Sequence, residues 1–233
     1  LVRIVDQYFL PSEGFGGKPG QKFIAHTLGR IPARRVVLIG AGDKALTTDQ
    51  QKDLGATVSK TGAGVRASNA AIWTDWSAAR YGDGARAVRL IAEGLILGTY
   101  RFDKHKAERE ELPVLGDFTL LDAPDAGGAI ANAEAVAAGV VLARDLVNEP
   151  PQICTPDFLA DKARELAATH GFEIEIFDRA ELERRGMNLH AAVGRGSVEP
   201  PCLIHLTWKG KNAKKKLAFV GKGVTFDTGG YSL

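Results

Sequence analysis

The spacing of apolar residues changes from one segment of the chain to the next, and these changes predict alternating strands and helices. Residues 35–40, RVVLIG, form a short β-branched run ending in glycine, which is typical of a strand buried on both faces of a parallel sheet. Residues 2–9 form a second strand-like run. Between residues 84 and 100 apolar side chains recur at helical spacing, which predicts an amphipathic crossover helix. Alternating strands and helices are typical of α/β folds.

A cluster of turn-forming residues interrupts this pattern near the middle of the chain. After residue 112 the sequence reads PVLGDFTLLDAPDAGG, a strand-like FTLL followed by residues that favour turns. An alanine-rich helix follows over residues 129–147. Its predicted apolar stripe consists of Ile130, Ala133, Ala137, Val140, Val141 and Val147. We therefore divide the chain into an N-terminal α/β domain (1–128), a linker helix with a proline-rich elbow (129–152), and the start of a second α/β domain (153–233).

The sequence also predicts the local structure of the elbow and of the second domain. Residues 148–156, NEPPQICTP, should be extended because a residue before proline avoids the helical region. Thr155 followed by Pro156 is a good helix start. The pattern then predicts a helix, a strand, a short helix and two strands over residues 156–170, 172–177, 180–186, 203–208 and 217–220. The predicted fold is two α/β domains with mostly parallel or mixed sheets flanked by helices, the second truncated.

Composition narrows the classes of function. Of 233 residues 45% are hydrophobic and 25% charged, and 30 basic against 28 acidic residues leave a net charge of +2. This balance gives no argument for nucleic acid or a membrane as the main partner, and it favours a small-molecule or peptide substrate. Two cysteines without a CxxC pair, no signal peptide, and no uninterrupted apolar run of about 18 residues predict a cytoplasmic protein. Because the chain begins with Leu1 rather than methionine, we expect that preceding residues have been removed.

Several groups of residues resemble functional sites, but for each of them we prefer a structural explanation. The segment GFGGKPG (14–20) has the wrong spacing for a phosphate loop and predicts a flexible loop. The lysine run over residues 209–216 predicts a solvated hairpin turn, with nucleic-acid contact as the alternative. The five histidines lack the spacing of a zinc site. Cys154 lacks a partner histidine, so we expect a packed thiol and not a nucleophile.

The last fourteen residues, VGKGVTFDTGGYSL, present Lys222 and Asp227 on glycine-rich backbone directly after a predicted strand. The glycines flanking Lys222 predict tight packing, and Gly229 with Gly230 predicts a positive-φ turn. Either side chain alone suits an ordinary surface turn, but their combination favours a site. Such a pair can form an ion pair, act as a base or Schiff-base catalyst, or ligate metal through a neutral amine.

This motif resembles the signature of the leucyl (cytosol) aminopeptidases, which are di-metal exopeptidases. The similarity extends through RDLVNEPPQICTPDFLADKA and GMNLHAAVGRGSVEPPCLIHLTW, and more loosely through RVVLIGAG and GTYRFDKHK, so it covers nearly the whole chain. The resemblance implies that Lys222 binds the more loosely held of two divalent metal ions, zinc or manganese. It implies that Asp227 bridges both ions.

The resemblance also implies an activity for the complete protein. It would release N-terminal residues, with a leucine-type preference, from peptides, and it would assemble as a hexamer. The family's catalytic lysine would follow Leu233, and its other metal carboxylates and an anion-binding arginine lie further downstream, so we expect no catalytic residue within this chain. Two ligands cannot hold two dications roughly 3.5–4 Å apart. We therefore expect this chain by itself to be inactive.

A different class of function stays open. The chain, or its first domain, could be a non-catalytic binding or assembly module, possibly a DNA-binding one, because some relatives of these peptidases also bind DNA. The lysines between residues 209 and 216 would then contribute. A salt-dependent shift of duplex DNA that is lost on replacing those lysines would favour this function.

Overall fold

The structure is a computed structural model that describes residues 2–5, 14–108 and 116–226, with only the backbone described for residues 2–5. The chain divides into two compact units, Leu1–Asp145 and Leu146–Leu233, which we call the N-terminal and C-terminal units. Both combine helices with a sheet, so the predicted mixed α/β class is confirmed.

The N-terminal unit is built on a five-stranded mixed sheet. Its strands, in chain order, are β1 (Val2–Val5), β2 (Lys22–His26), β3 (Arg35–Gly40), β4 (Asn69–Trp73) and β5 (Asp117–Leu120). Their order across the sheet is β2-β3-β1-β4-β5, and every pair is parallel except β2 with β3. The predicted strands at residues 35–40 and within FTLL are confirmed. Strand β1 covers the first part of the run at residues 2–9, of which residues 6–9 lie outside the described chain.

Two helices and a short 3₁₀ turn (Ala79–Tyr81) complete the centre of this unit. Helix α1 (Thr48–Gly64) is capped by Thr47, whose side chain accepts a hydrogen bond from Gln50 N in a capping box. Helix α2 (Gly84–Gly98) is capped by Asp83. It buries an apolar stripe, as the spacing of its apolar residues predicted. The core of the unit forms where that stripe meets α1 and the sheet, around Ile39, Val58, Ile72, Val88 and Ile91.

The contact between α1 and α2 is close enough to exclude a side chain at Gly94. A Cβ atom there would overlap the Lys52 carbonyl oxygen. Beside this contact the fully buried carboxylate of Glu93 forms ion pairs with Lys52, at 2.7 Å, and with Arg89. Two cations therefore compensate the one buried charge in this interface.

Helix α3 (Ala126–Asn148) confirms the alanine-rich helix predicted at residues 129–147 but not its whole stripe. Ala129, Ala133 and Ala137 are buried, whereas Val147 is 84% exposed. The buried positions recur every four residues over the first half of the helix, and the periodicity alone did not reveal where that packing stops. Among the described residues, this is the one helix long and apolar enough to cross a membrane by length and composition, although Asn132 and Glu134 interrupt its apolar run.

The C-terminal unit contains shorter elements. These are α4 (Pro156–His170), β6 (Glu173–Phe177), α5 (Arg179–Arg184), α6 (Asn188–Gly194) and β7 (Leu203–Thr207). Strands β6 and β7 pair antiparallel in a two-stranded sheet. The predicted helix start is confirmed, since the Thr155 side chain accepts from Phe158 N and Pro156 is the first helical residue.

The proline-rich elbow is turned and not extended, so that prediction was wrong. The backbone N–H groups of Ile153 and Cys154 both donate to the Pro150 carbonyl oxygen at 2.9 Å. The steric restriction of a proline acts on the residue before it. It therefore constrains the residues before Pro150 and Pro151 and leaves the following ones free to turn.

The strand predicted at residues 217–220 was also wrong. This segment is irregular, and Leu217, Phe219 and Val220 are more than 80% exposed. A strand needs a neighbour to take its backbone hydrogen bonds, and no strand among the described residues pairs with it. The predicted lysine hairpin fails for the same reason. A turn does form, with Ala213 N donating to Gly210 O at 3.3 Å, but no strand returns from it in the described chain.

Candidate functional site

Lys222 lies on the irregular segment that follows β7. Its side chain is exposed, and it forms no hydrogen bond or ion pair with another residue of the described ranges. A Cβ atom at Gly221 would meet nothing within 4 Å, and one at Gly223 would meet only a Leu159 methyl group, at 4.0 Å. The tight packing predicted around Lys222 is therefore absent, because the strand that would have ordered this backbone does not form. Asp227 lies outside the described residues, as do Gly229 and Gly230.

The described residues do not make a metal site by themselves. Across residues 14–108 and 116–226 no group of three or more His, Cys, Asp or Glu side chains is close enough together to hold an ion. A two-metal site needs several carboxylates to offset its charge and to hold both ions. Of the two predicted ligands only Lys222 is described, and one amine does not fit that requirement.

The two cysteines are half-buried free thiols. Burial raises the pKa of the Cys154 thiol, and the nearby Glu149 carboxylate raises it further. Burial also raises the pKa of Cys202, which contacts the Pro156 carbonyl oxygen at 3.5 Å. Since the thiolate is the nucleophilic form, neither environment activates its cysteine.

The backbone of the glycine-rich segment at residues 14–20 forms hydrogen bonds with the Gln21 side chain. The Gln21 side-chain oxygen accepts from Gly16 N and Lys18 N, and its nitrogen donates to Gly14 O at 2.5 Å. Backbone N–H groups that a phosphate would need are thus already used. The interpretation of this segment as a loop and not a phosphate site is consistent with these contacts.

Two side chains on or just after β7 contact glutamates of β6, Lys209 through an ion pair and His205 through a hydrogen bond. Lys209 Nζ lies 2.5 Å from Glu173, and His205 Nδ1 lies 3.0 Å from Glu175. The remaining lysines of the run, Lys211, Lys214, Lys215 and Lys216, are exposed. The first lysine of the run is therefore tied to the sheet while the others extend into solvent.

A cleft that the sequence did not predict lies in the N-terminal unit. It has a volume of about 780 Å³ and opens beyond the carboxyl ends of β4 and β5, beside the start of α2. Its walls include Trp73, Trp76 and the carboxylates of Asp75, Asp83 and Asp122. The one sequence signal was the run WTDW (73–76), two tryptophans around an aspartate directly at a strand end.

Comparison with known proteins identifies the family. The N-terminal domain of the cytosol aminopeptidase family matches residues 7–109, and the catalytic domain of the same family matches residues 141–233. The chain belongs to the cytosol aminopeptidase family. The family resemblance stated from the sequence is thereby confirmed.

Individual relatives agree with this assignment. A probable cytosol aminopeptidase of Geobacter sp. (strain M21) is 39% identical over 225 residues, covering 94% of this chain and 45% of the relative. One of Alkaliphilus metalliredigens (strain QYMF) is 35% identical, covering 97% of this chain and 47% of the relative. The chain thus spans about half the length of the curated relatives it matches.

Solved structures give the same result for the fold. A tomato leucine aminopeptidase mutant is similar with a TM-score of 0.80 and 32% identity, covering 94% of this chain and 44% of that structure. The bottromycin maturation enzyme BotP in complex with Mn is similar with a TM-score of 0.75 and 28% identity, covering 89% of this chain and 44% of the other. The similarity extends across both units of this chain.

Proposed function

We propose that the complete protein carrying this chain is a metal-dependent aminopeptidase that releases N-terminal residues from peptides. The observation that carries the proposal is that both domains of one peptidase family match the chain, in order, over residues 7–109 and 141–233. Relatives that are 39% and 35% identical over nearly the whole of this chain are named probable cytosol aminopeptidases.

For the metal site we propose that Lys222 and Asp227 supply two of the ligands and that the remaining ligands come from elsewhere in the complete protein. The exposed position of Lys222, without a partner among the described residues, supports its availability for ligation. We propose two divalent ions, zinc or manganese, and the manganese in the BotP structure supports that class of metal. When bound, such ions lower the pKa of a bound water and stabilise developing negative charge.

The finer features follow from the same family assignment. We propose peptide substrates with a leucine-type preference, a homohexamer, and a cytoplasmic location. The leucine aminopeptidase among the similar structures supports the preference. The names of the relatives support the location.

The complete protein provides the main test. Purified protein loaded with manganese or zinc should release leucine from a leucyl tripeptide, and chelation should abolish the release. Replacement of Lys222 by Gln should lower the rate by at least about 100-fold, because the loss of a group that only orients a metal ligand already costs about 10- to 100-fold. The matched variant Lys214→Gln removes the same charge from the exposed lysine run and should leave the rate within about twofold.

Two outcomes would contradict the proposal. One is full activity after chelation, which would rule out a metal-dependent reaction. The other is an equal rate for the Lys222 and Lys214 variants, which would show that Lys222 is not a metal ligand. Calorimetry on the 233-residue chain alone should detect no more than weak metal binding, and tight binding of two ions there would overturn our view that most ligands lie elsewhere.

A further inference from the structure

Strand β2 (Lys22–His26) lies at one end of the five-stranded sheet of the N-terminal unit. It pairs antiparallel with β3, and no strand in the described chain pairs with its other side, which we call the β2 edge. An unpaired strand edge presents backbone N–H and C=O groups, and another extended chain can pair with them as an additional strand. The β2 edge therefore has the geometry of a peptide-binding site.

The hydrogen bonds to β3 identify the backbone groups that face outwards. Thr27 N donates to Arg34 O at 3.1 Å, and Gly40 N donates to Gln21 O at 2.8 Å. Since alternate residues of a strand direct their N–H and C=O groups to the same side, the residues at even positions of β2 direct theirs away from β3. These residues are Lys22, Ile24 and His26. Their side chains are exposed as well, so the outer side of the strand is accessible.

The segment that carries β2 and β3 is basic and contains no acidic residue. Over residues 14–42 there are five lysines and arginines and no aspartate or glutamate. The Arg35 side chain donates to the Val65 carbonyl oxygen. The other four side chains are exposed and form no hydrogen bond or ion pair with another residue of the described ranges. They belong to Lys18, Lys22, Arg30 and Arg34. The β2 edge therefore attracts a negatively charged chain.

A small pocket adjoins the carboxyl end of β2. It has a volume of about 270 Å³ and lies in the turn that joins β2 to β3. Its apolar walls include Leu28, Ile31 and Pro32. Thr27 Oγ1 donates to the Ala33 carbonyl oxygen at 2.6 Å, which holds the turn in this shape. A chain that pairs with β2 can therefore place one apolar side chain in this pocket.

Charge and backbone together select among possible occupants. Two copies of β2 would bring two basic segments together, and like charges on neighbouring strands are destabilising. An edge lysine such as Lys22 commonly prevents such self-pairing. A strand with acidic side chains is instead stabilised, because opposite charges across strands attract. Nucleic acids and lipid surfaces carry negative charge but lack the alternating N–H and C=O groups with which a strand edge pairs.

We propose that the β2 edge binds an extended acidic segment of another protein as an additional strand of the sheet. The outward backbone groups of Lys22, Ile24 and His26 pair with the segment, the exposed lysines and arginines attract its carboxylates, and the turn pocket takes an apolar side chain. The site lies within the N-terminal unit and does not depend on the proposed peptidase function.

Fluorescence polarisation with the 233-residue chain tests the binding. The probe is an octapeptide of alternating glutamate and valine that ends in leucine, with fluorescein on its N-terminus. It should bind saturably, and the peptide with lysine in place of glutamate should not. The acidic peptide N-methylated at three successive central residues keeps its charge but loses N–H donors on both of its edges. It should bind at least about tenfold more weakly.

A proline variant tests the backbone of the protein. Ile24→Pro removes an outward-facing N–H group and no hydrogen bond to β3, so the sheet should keep its pairing. It should weaken binding of the acidic peptide about tenfold. Ile24→Val keeps the N–H group and should leave the dissociation constant within about twofold. Thermal unfolding checks that both variants fold, and the N-methylated peptide tests the same hydrogen bonds without altering the protein.

Charge-removing variants test the basic side chains. The double variant Lys22→Gln/Arg34→Gln should weaken binding of the acidic peptide about tenfold. The double variant Lys214→Gln/Lys215→Gln removes the same charge from the exposed lysine run of the C-terminal unit. It should leave the dissociation constant within about twofold. This control distinguishes the β2 edge from general attraction of the peptide to a basic surface.

The proposal is overturned if the N-methylated peptide binds as tightly as its parent, because the segment would then be a general polyanion surface. It is also overturned if the acidic peptide does not bind saturably, or if the two double variants bind it equally well. None of these measurements needs catalysis or metal. A failed peptidase assay and a failed peptide-binding experiment are therefore distinguishable.

Discussion

The two units of the chain differ in how they bury apolar side chains. In the N-terminal unit Ile39, Ile72, Leu90 and Ile91 are at most 1% exposed, whereas in the C-terminal unit Leu182 is the one described large side chain below 2%. The C-terminal unit leaves Leu217, Phe219 and Val220 in solvent. This difference indicates that the N-terminal unit forms a buried hydrophobic core from its own helices and strands. The C-terminal unit has several ion pairs between exposed or half-buried side chains, such as Arg184 with Glu181 and Lys209 with Glu173, and each of these contributes little.

The largest effect should come from the helix contact of the N-terminal unit. Gly94→Ala places a methyl group against the Lys52 carbonyl oxygen and should lower the free energy of unfolding of that unit by roughly 3 kcal/mol. The control is Gly139→Ala in α3, where a Cβ atom meets nothing within 4 Å and which should stabilise the unit by up to about 1 kcal/mol. Denaturant unfolding followed by Trp73 and Trp76 fluorescence, with Trp208 replaced by Phe, measures both. Equal effects would mean that the helices can separate at little cost.

An intermediate effect should come from a cap in the C-terminal unit. Thr155→Ala removes the acceptor for Phe158 N and should destabilise α4 by about 1 kcal/mol. Amide hydrogen exchange of residues 156–170 measures the loss. Thr169→Ala, at the exposed end of the same helix, should change exchange far less. Faster exchange throughout the N-terminal unit in the Thr155 variant would contradict the view that the two units are stabilised separately.

The smallest effect should depend on pH. Hydrogen bonds from Arg184, and then Arg185, lower the Glu181 pKa from 4.5 to about 2. A lowered folded-state pKa contributes stability above the unfolded value, and that contribution is lost as the pH falls from about 4.5 towards 2. Glu181→Gln should therefore lower the melting temperature of the C-terminal unit slightly at pH 6 and leave it unchanged near pH 2.

Glu183→Gln is the matched control for that pH dependence. Glu183 lies on the same short helix, is exposed, and forms no ion pair with another described residue. Its replacement should leave the melting temperature unchanged at both pH values. A pH-independent difference between Glu181→Gln and the parent chain would show that the side chain acts by packing and not by charge.

The sequence predicted best those elements whose signals are local. Residues 156–170 were assigned to a helix with the observed bounds, because Thr155 and Pro156 mark its start and Gly171 its end. The run RVVLIG was likewise assigned to the strand that forms, since a short β-branched run ending in glycine suits a buried strand. These elements are specified by residues that are close together in the chain, so they can be predicted from the sequence.

Features that depend on distant partners were missed. Residues 217–220 have the composition of a strand but lack a described neighbour to pair with, and Val147 continues a helical stripe beyond the part that packs. The acidic cleft joins β4, β5 and the start of α2, which are separated by up to about fifty residues, so no window of the sequence reveals it. Lys222 was predicted as a ligand from a motif, and it remains a proposal.

The exposed lysine run is where we expect proteases to cut this protein first. Lys214, Lys215 and Lys216 lie together on irregular, solvent-accessible backbone, the kind of segment that trypsin-like proteases cut first. A cut there would separate the segment that carries Lys222 and Asp227 from the rest of the backbone, and it would leave every described helix and strand uncut because the last of them ends at Thr207. Such a sample would keep its circular dichroism and melting curve and would still lack both proposed ligands. Intact mass, and not folding, is therefore the quality check to make before any metal or activity measurement.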